Sequence, residues 1–240
     1  MTDIFEPTTV FSLLAALAVL VAAYSLSLQF LPKSTPGKLR LIYIWHLFDA
    51  LIHFTFEGSF LYNCFFVYTT GKNPNGFLNQ PSRIYGPAHG SSPTAKLWQE
   101  YAKADARWGE ADLTVISLEL LTVFVAGPLA LWICECIRKH DRQGWFWMTI
   151  LASCELYGGF MTFCPEWLTG SPNLDTSNFM YLWVYLVFFN TLWVWFPIYV
   201  LYEAYQNISV AFEAAGSGSG FIVERDGGKS TRRSKRGKAE

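Results

Sequence analysis

Residues 46–60 read HLFDALIHFTFEGSF, and they place His46, Asp49, His53 and Glu57 inside an apolar, aromatic run. The steps between these four are three, four and four residues, so a helix carries them on one face. At about 1.5 Å per residue the polar stripe is roughly 16 Å long, too long to lie at a single interface. An imidazole with a carboxyl one turn away can share and relay a proton, which makes His53 and Glu57 candidates for general acid and base. A lone buried His is more often hydrogen-bonded structure; the Glu57 partner tips the balance toward chemistry.

Other polar residues fall in apolar runs further along. Glu119 is followed by Thr122, Glu155 by Tyr157, and Asn190 by Trp193. Glu135 stands beside Arg138 and Lys139 and reads as an interfacial ion-pair residue, whereas Glu119 has no basic neighbour and is the better catalytic candidate. Asn190 taken alone is interhelical glue. Metal chemistry is disfavoured because the H-x-x-x-H and H-x-x-H-H boxes of membrane di-iron enzymes are missing. The one glycine-rich run, GSGSG at 216–220, neither follows a strand nor opens a helix, so no nicotinamide site is expected. The remaining chemistry is proton transfer on an apolar molecule, through a carbocation that Trp, Phe and Tyr ring faces stabilise.

The elements that must hold these groups are membrane helices. The chain of 240 residues is 52% hydrophobic and 15% charged, against about a quarter charged in soluble domains. Five stretches, 8–31, 41–69, 113–137, 145–164 and 179–203, reach the roughly 20 apolar residues that cross a bilayer. An ion at the centre of such a helix costs about 2.5–3.5 kcal/mol and faces a bundle interior or a wet cavity, so function is the default reading of the stripe. The fold expected is all-α, a polytopic five-helix bundle over 1–209, with 210–240 a flexible, basic tail. Segments 32–40, 70–112, 138–144 and 165–178 read as loops by their turn residues.

Three Lys and Arg in the first loop, three in the third and seven after residue 203 oppose five in the 70–112 loop. Positive loops stay cytoplasmic, which puts the C-terminus in the cytoplasm and the N-terminus across the membrane. The acidic start MTDIFEPTT lacks a signal-peptide pattern, and the first apolar run is expected to remain as a helix. The five cysteines indicate neither a disulfide framework nor a zinc site. Nothing argues for nucleic-acid binding.

Four motifs carry a family resemblance: IHFTFEG (52–58), LWQEYAKADARW (97–108), LTVISLELLTVFVAGPLALW (113–132) and YLWVYLVFFNTLWVWFP (181–197). In order and spacing they resemble the emopamil-binding protein family, the sterol Δ8-Δ7 isomerases of the endoplasmic reticulum within the EXPERA group, over about 41–203. LYGG (156–159) stands where the family has a more acidic I-Y-G-D pattern, and Leu113 where Asn is common. The resemblance implies a sterol site lined by His53, Glu57, Glu119, Thr122, Asn190 and Trp193, with Asp105 and Trp108 contributing; Tyr157 joins them as a further candidate. It implies that His53, coupled to Glu57, protonates C9 of an 8(9)-alkene and that Trp193 and Glu119 stabilise the C8 cation. Thr122 and Asn190 would orient carboxylate and imidazole. No cofactor is required. The expected partners are a Δ8-sterol, membrane lipids, cationic amphiphilic amines as inhibitors and a second copy in a homodimer. The competing reading is a non-catalytic membrane receptor for sterols and cationic amphiphiles. His46 and Asp49 match no family motif, and a polar support or proton-supply role is the expectation for them.

Overall fold

The computed structural model describes residues 6–73 and 75–215; the GSGSG linker and the basic run expected to be flexible lie outside the described residues. A long helix occupies each of the five expected places. They are α1 (Pro7–Phe30), α2 (Gly37–Phe66), α4 (Leu113–Arg138), α5 (Gly144–Leu168) and α6 (Met180–Ala214). Four of them, α1, α2, α4 and α6, are long and apolar enough to cross a membrane. The expectation of five such spans is therefore not matched in full: α5 has the length, but Trp145, Trp147, Tyr157, Glu155 and three glycines lower its hydropathy.

Start and stop signals account for the helix limits. Pro7 sits in the first turn of α1, where its missing N–H costs nothing. Asp112 caps α4, accepting the N–H groups of Thr114 and Val115 at 2.9 Å each. Pro165 and Pro197 lie inside α5 and α6 without ending them, and α6 runs three turns beyond the expected 203. In an apolar helix, packing partners keep such a proline in register.

The segment 70–112 is more ordered than its turn-rich composition indicates. Strands β1 (Tyr68–Thr70) and β2 (Arg83–Tyr85) pair antiparallel, Thr69 opposite Ile84, and α3 (Pro93–Tyr101) follows. The α3 start is legible in Ser92-Pro93-Thr94: the Ser92 hydroxyl accepts the Ala95 N–H at 3.1 Å and proline takes the first helical position.

Of three buried clusters, two position the site. One joins α1, α2, α4, α5 and α6 through Ala23, Ile42, Trp45, Ile133, Met148 and Val200. The other seats the hairpin and α3 on the adjoining ends of α2 and α4 through Phe60, Trp98, Trp108 and Val115. Trp98 and Trp108 stack with centroids 4.7 Å apart, and the Trp98 indole N–H reaches the Phe56 carbonyl at 3.2 Å. The hairpin and α3 are thereby pinned directly above the stretch that carries Glu57.

Candidate active site

Three of the long helices change pitch where the candidate residues lie. α2 widens into a π-turn over His53–Glu57, with the Gly58 N–H bonding back to the His53 carbonyl; α4 does so over Thr122–Ala126 and α6 over Met180–Phe189. Such bulges concentrate at functional sites because the extra residue re-aims side chains at some cost in helix regularity. The first two bulges pack on each other through Gly127. A Cβ there would stand 3.0 Å from Phe54 Cζ and 3.4 Å from His53 Cβ, so a side chain would push the bulges apart.

His53 is 2% exposed and lies between two carboxylates of its own helix. Its Nδ1 bonds to Glu57 Oε2 in a very short contact. Its Nε2 lies 3.0 Å from Asp49 Oδ1, out of line for a hydrogen bond, and has no other partner. Each carboxyl then meets a second one from a neighbouring helix. Glu57 faces Glu119 of α4, whose Oε2 accepts the Thr122 hydroxyl at 2.8 Å. Asp49, fully buried, faces Glu155 of α5, and its Oδ1 accepts the Trp193 indole N–H from α6 at 2.8 Å. The result is a linear order, Glu119, Glu57, His53, Asp49, Glu155, drawn from three helices. Two carboxyls can stand together in a dry interior only if they share a proton, so the line is a proton store with an imidazole at its centre.

His53, Glu57, Glu119, Thr122 and Trp193 are thus brought together. Asn190 is close in sequence to Trp193 but bonds elsewhere: its Nδ2 donates to Tyr101 Oη at 3.0 Å and to the carbonyls of Tyr185 and Leu186, tying α3 to α6 rather than holding the imidazole. Asp105 binds Arg107, and Trp108 packs among Phe60, Trp98 and Tyr101, so both sit in the layer outside the spans. Tyr157 is 67% exposed and faces away from the His53 cluster. Glu135 pairs with Arg138 at 2.7 Å and Lys139 at 2.9 Å, as an interfacial residue does. His46 is buried with Nδ1 bonded to the Ile42 carbonyl at 2.8 Å, a structural role. Among the described residues, no group of three or more His, Cys, Asp or Glu could hold a metal ion.

Residues 93–204 match the family model described as EXPERA, the expanded EBP superfamily. The match includes Glu119, Thr122, Glu155, Asn190 and Trp193 and begins after the His53 bulge. Across a longer region, the chain is similar to the 3-beta-hydroxysteroid-Delta(8),Delta(7)-isomerase of Rattus norvegicus. Identity is 24%, covering 84% of this chain and 78% of that one. It is similar at 27% to the probable enzyme of the same name in Arabidopsis thaliana, covering 74% and 70%. A protoglabretal synthase of Ailanthus altissima is 25% identical, covering 71% and 68%.

The sequence offered Asp49 only a polar-support or proton-supply role and did not single out Glu155 for chemistry. The 49-to-53 step was visible as part of the stripe, and it marks Asp49 as a neighbour of His53. The Asp49–Glu155 contact joins α2 to α5, and no spacing along one helix reports a contact between two.

Proposed function

We propose that the protein is an isomerase that moves a sterol C=C bond from 8(9) to 7(8). The observation that carries this reading is the buried His53, bonded at Nδ1 to Glu57 and flanked at Nε2 by Asp49, each carboxyl facing a second one from a neighbouring helix. An unactivated alkene is a weak base, and its protonation needs a strong acid shielded from water. His53 in its imidazolium form would give a proton to C9: the N–H bond breaks, the alkene pair forms the C9–H bond, and a tertiary cation remains at C8. Glu119 and the ring face of Trp193 would stabilise that cation as preorganised charge in a low-dielectric site. Loss of a C7 proton to a neighbouring carboxylate places the bond at 7(8) and restores the proton count. The step conserves redox state, so no cofactor enters.

Thr122 orients the Glu119 carboxylate through its hydroxyl, and the indole N–H of Trp193 fixes the ring plane by bonding to Asp49. The relatives named as Delta(8),Delta(7)-isomerases support the sterol and the bond positions, and their sterol chemistry supports residence in the endoplasmic reticulum membrane. The basic-residue bias supports a lumenal N-terminus and a cytoplasmic C-terminus. A site that stabilises a cation should also take cationic amphiphilic amines as inhibitors.

The test is expression in cells lacking their own 8,7-isomerase, followed by sterol analysis. Accumulated Δ8-sterols should convert to Δ7-sterols. Their persistence despite good membrane expression would overturn the enzyme reading and leave a sterol- and amine-binding protein in its place.

A further inference from the structure

The mechanism above gives Glu155 no task and uses Asp49 only as the acceptor of the Trp193 indole. On the Nε2 side of His53 lie two buried carboxyl oxygens, Asp49 Oδ2 and Glu155 Oε1, that no donor of the chain reaches. An unpartnered buried polar atom costs about 1–3 kcal/mol, and here there are two, one from each of two facing carboxyls. One proton placed between them satisfies both. The groups beside the pair are His53, His46, whose Nδ1 is already bonded to the Ile42 carbonyl, and, at the other Asp49 oxygen, the neutral Trp193 indole.

We propose that Asp49 and Glu155 form a second proton-sharing carboxyl pair, whose task is to reload His53 through Nε2 after each proton delivery. The proposal rests on the isomerase reading for its catalytic meaning. When Nε2 gives its proton to C9, Nδ1 keeps the one it shares with Glu57; in the reloading step an O–H bond of the pair breaks and the Nε2–H bond re-forms, the pair becomes anionic while the imidazole becomes imidazolium, and charge is conserved. The proton lost from C7 then returns to the line of carboxyls, so a full turnover leaves every group as it began. Nε2 already lies 3.0 Å from Asp49 Oδ1, and a modest rotation of the ring brings the two into line. Asp49 and Glu155 act through His53 and are positioning residues. Trp193 has a second use on this reading, because its N–H holds Asp49 Oδ1 still while Oδ2 shares the proton.

The experiment is infrared difference spectroscopy of the purified full-length protein in lipid, in H2O and D2O, alongside steady-state turnover of a Δ8-sterol. The C=O stretch of a protonated carboxylic acid is separate from carboxylate and amide bands. The wild type should show such a band that Glu119→Gln leaves and that both Glu155→Gln and Asp49→Asn remove, with Glu155→Asp restoring it. In turnover, Glu155→Gln should lower kcat about 10–100-fold with KM within about twofold, less than the 10²–10⁴-fold expected for the acid itself. The double variant should be no worse than Asp49→Asn alone, as befits one unit. If neither variant alters the protonated-acid bands, the pair is absent and the proposal falls. It also falls if Glu155→Gln raises KM or lowers the thermal midpoint while kcat per folded molecule stays unchanged. A wild type without sterol turnover would sink the isomerase reading, and the infrared bands would still decide whether the pair exists.

Discussion

Around Arg107, each side of the guanidinium has an acceptor. Asp105 takes Nε at 2.9 Å and Nη2 at 2.6 Å, the Thr162 carbonyl takes Nη1 at 2.6 Å, and Glu166 approaches to 3.7 Å while accepting two bonds from Asn173. Burial works against the charge, but the bonds and charge of Asp105, with Glu166, raise the Arg107 pKa above its ordinary value. Around His53 the balance is reversed. Four carboxyls, Asp49, Glu57, Glu119 and Glu155, share one imidazole, and Nε2 and two carboxyl oxygens lack partners. Both clusters are buried and both join separate elements. Completed pairing locks the 93–112 segment onto α5, whereas unfinished pairing leaves protons that can move.

The predictions set the two clusters against each other. His53→Ala and Glu57→Gln should lower sterol turnover by about 10²–10⁴-fold, the usual worth of a positioned acid, with the thermal midpoint little changed. Glu119→Gln should fall in the same range, and retained activity there would break the contrast. Asp105→Asn should do the opposite. It leaves Arg107 buried with half its pairing, and losing one partner of a buried pair costs about 3–5 kcal/mol, seen as a lower thermal midpoint with turnover per folded molecule preserved.

Thr122→Val removes one hydroxyl bond to Glu119, worth about 1 kcal/mol or roughly a fivefold loss in kcat. Glu100 offers a pH test. Its burial pushes the carboxyl pKa up, but bonds from Lys103, Thr9 and Tyr185 outweigh this and hold it below the ordinary 4.5. A depressed carboxyl stabilises the fold above its unfolded pKa, so this contribution should fade as pH drops below about 4.5, and Glu100→Gln should flatten that part of an acid-unfolding curve. Smallest of all, Glu135→Gln should leave turnover unchanged, since an exposed ion pair is worth about 0–1 kcal/mol.

Much of this was readable in the chain. The five apolar runs located the five long helices because hydropathy follows from composition alone, and the His53–Glu57 step marked one half of the site. Three things were not readable. The first two π-turns pack on each other around Gly127, and none of the three has a signature in the i, i+4 spacing that it modifies. The order within 70–112 depends on Trp98 and Trp108 finding Phe60, contacts made across long stretches of sequence. Asp49 and Glu155 sit on different helices, and their meeting required the bundle. α5 was the reverse case: its place was read correctly, but its polar and aromatic residues make it less apolar than the other four long helices.

The most direct test is turnover of a purified Δ8-sterol by the reconstituted protein in D2O, with the label located in the product. The account predicts a Δ7-sterol carrying one deuterium at C9 from the wild type and no product from His53→Ala. A wild type that leaves the Δ8-sterol unchanged, or a His53→Ala variant that still forms the C9-labelled product, would contradict it.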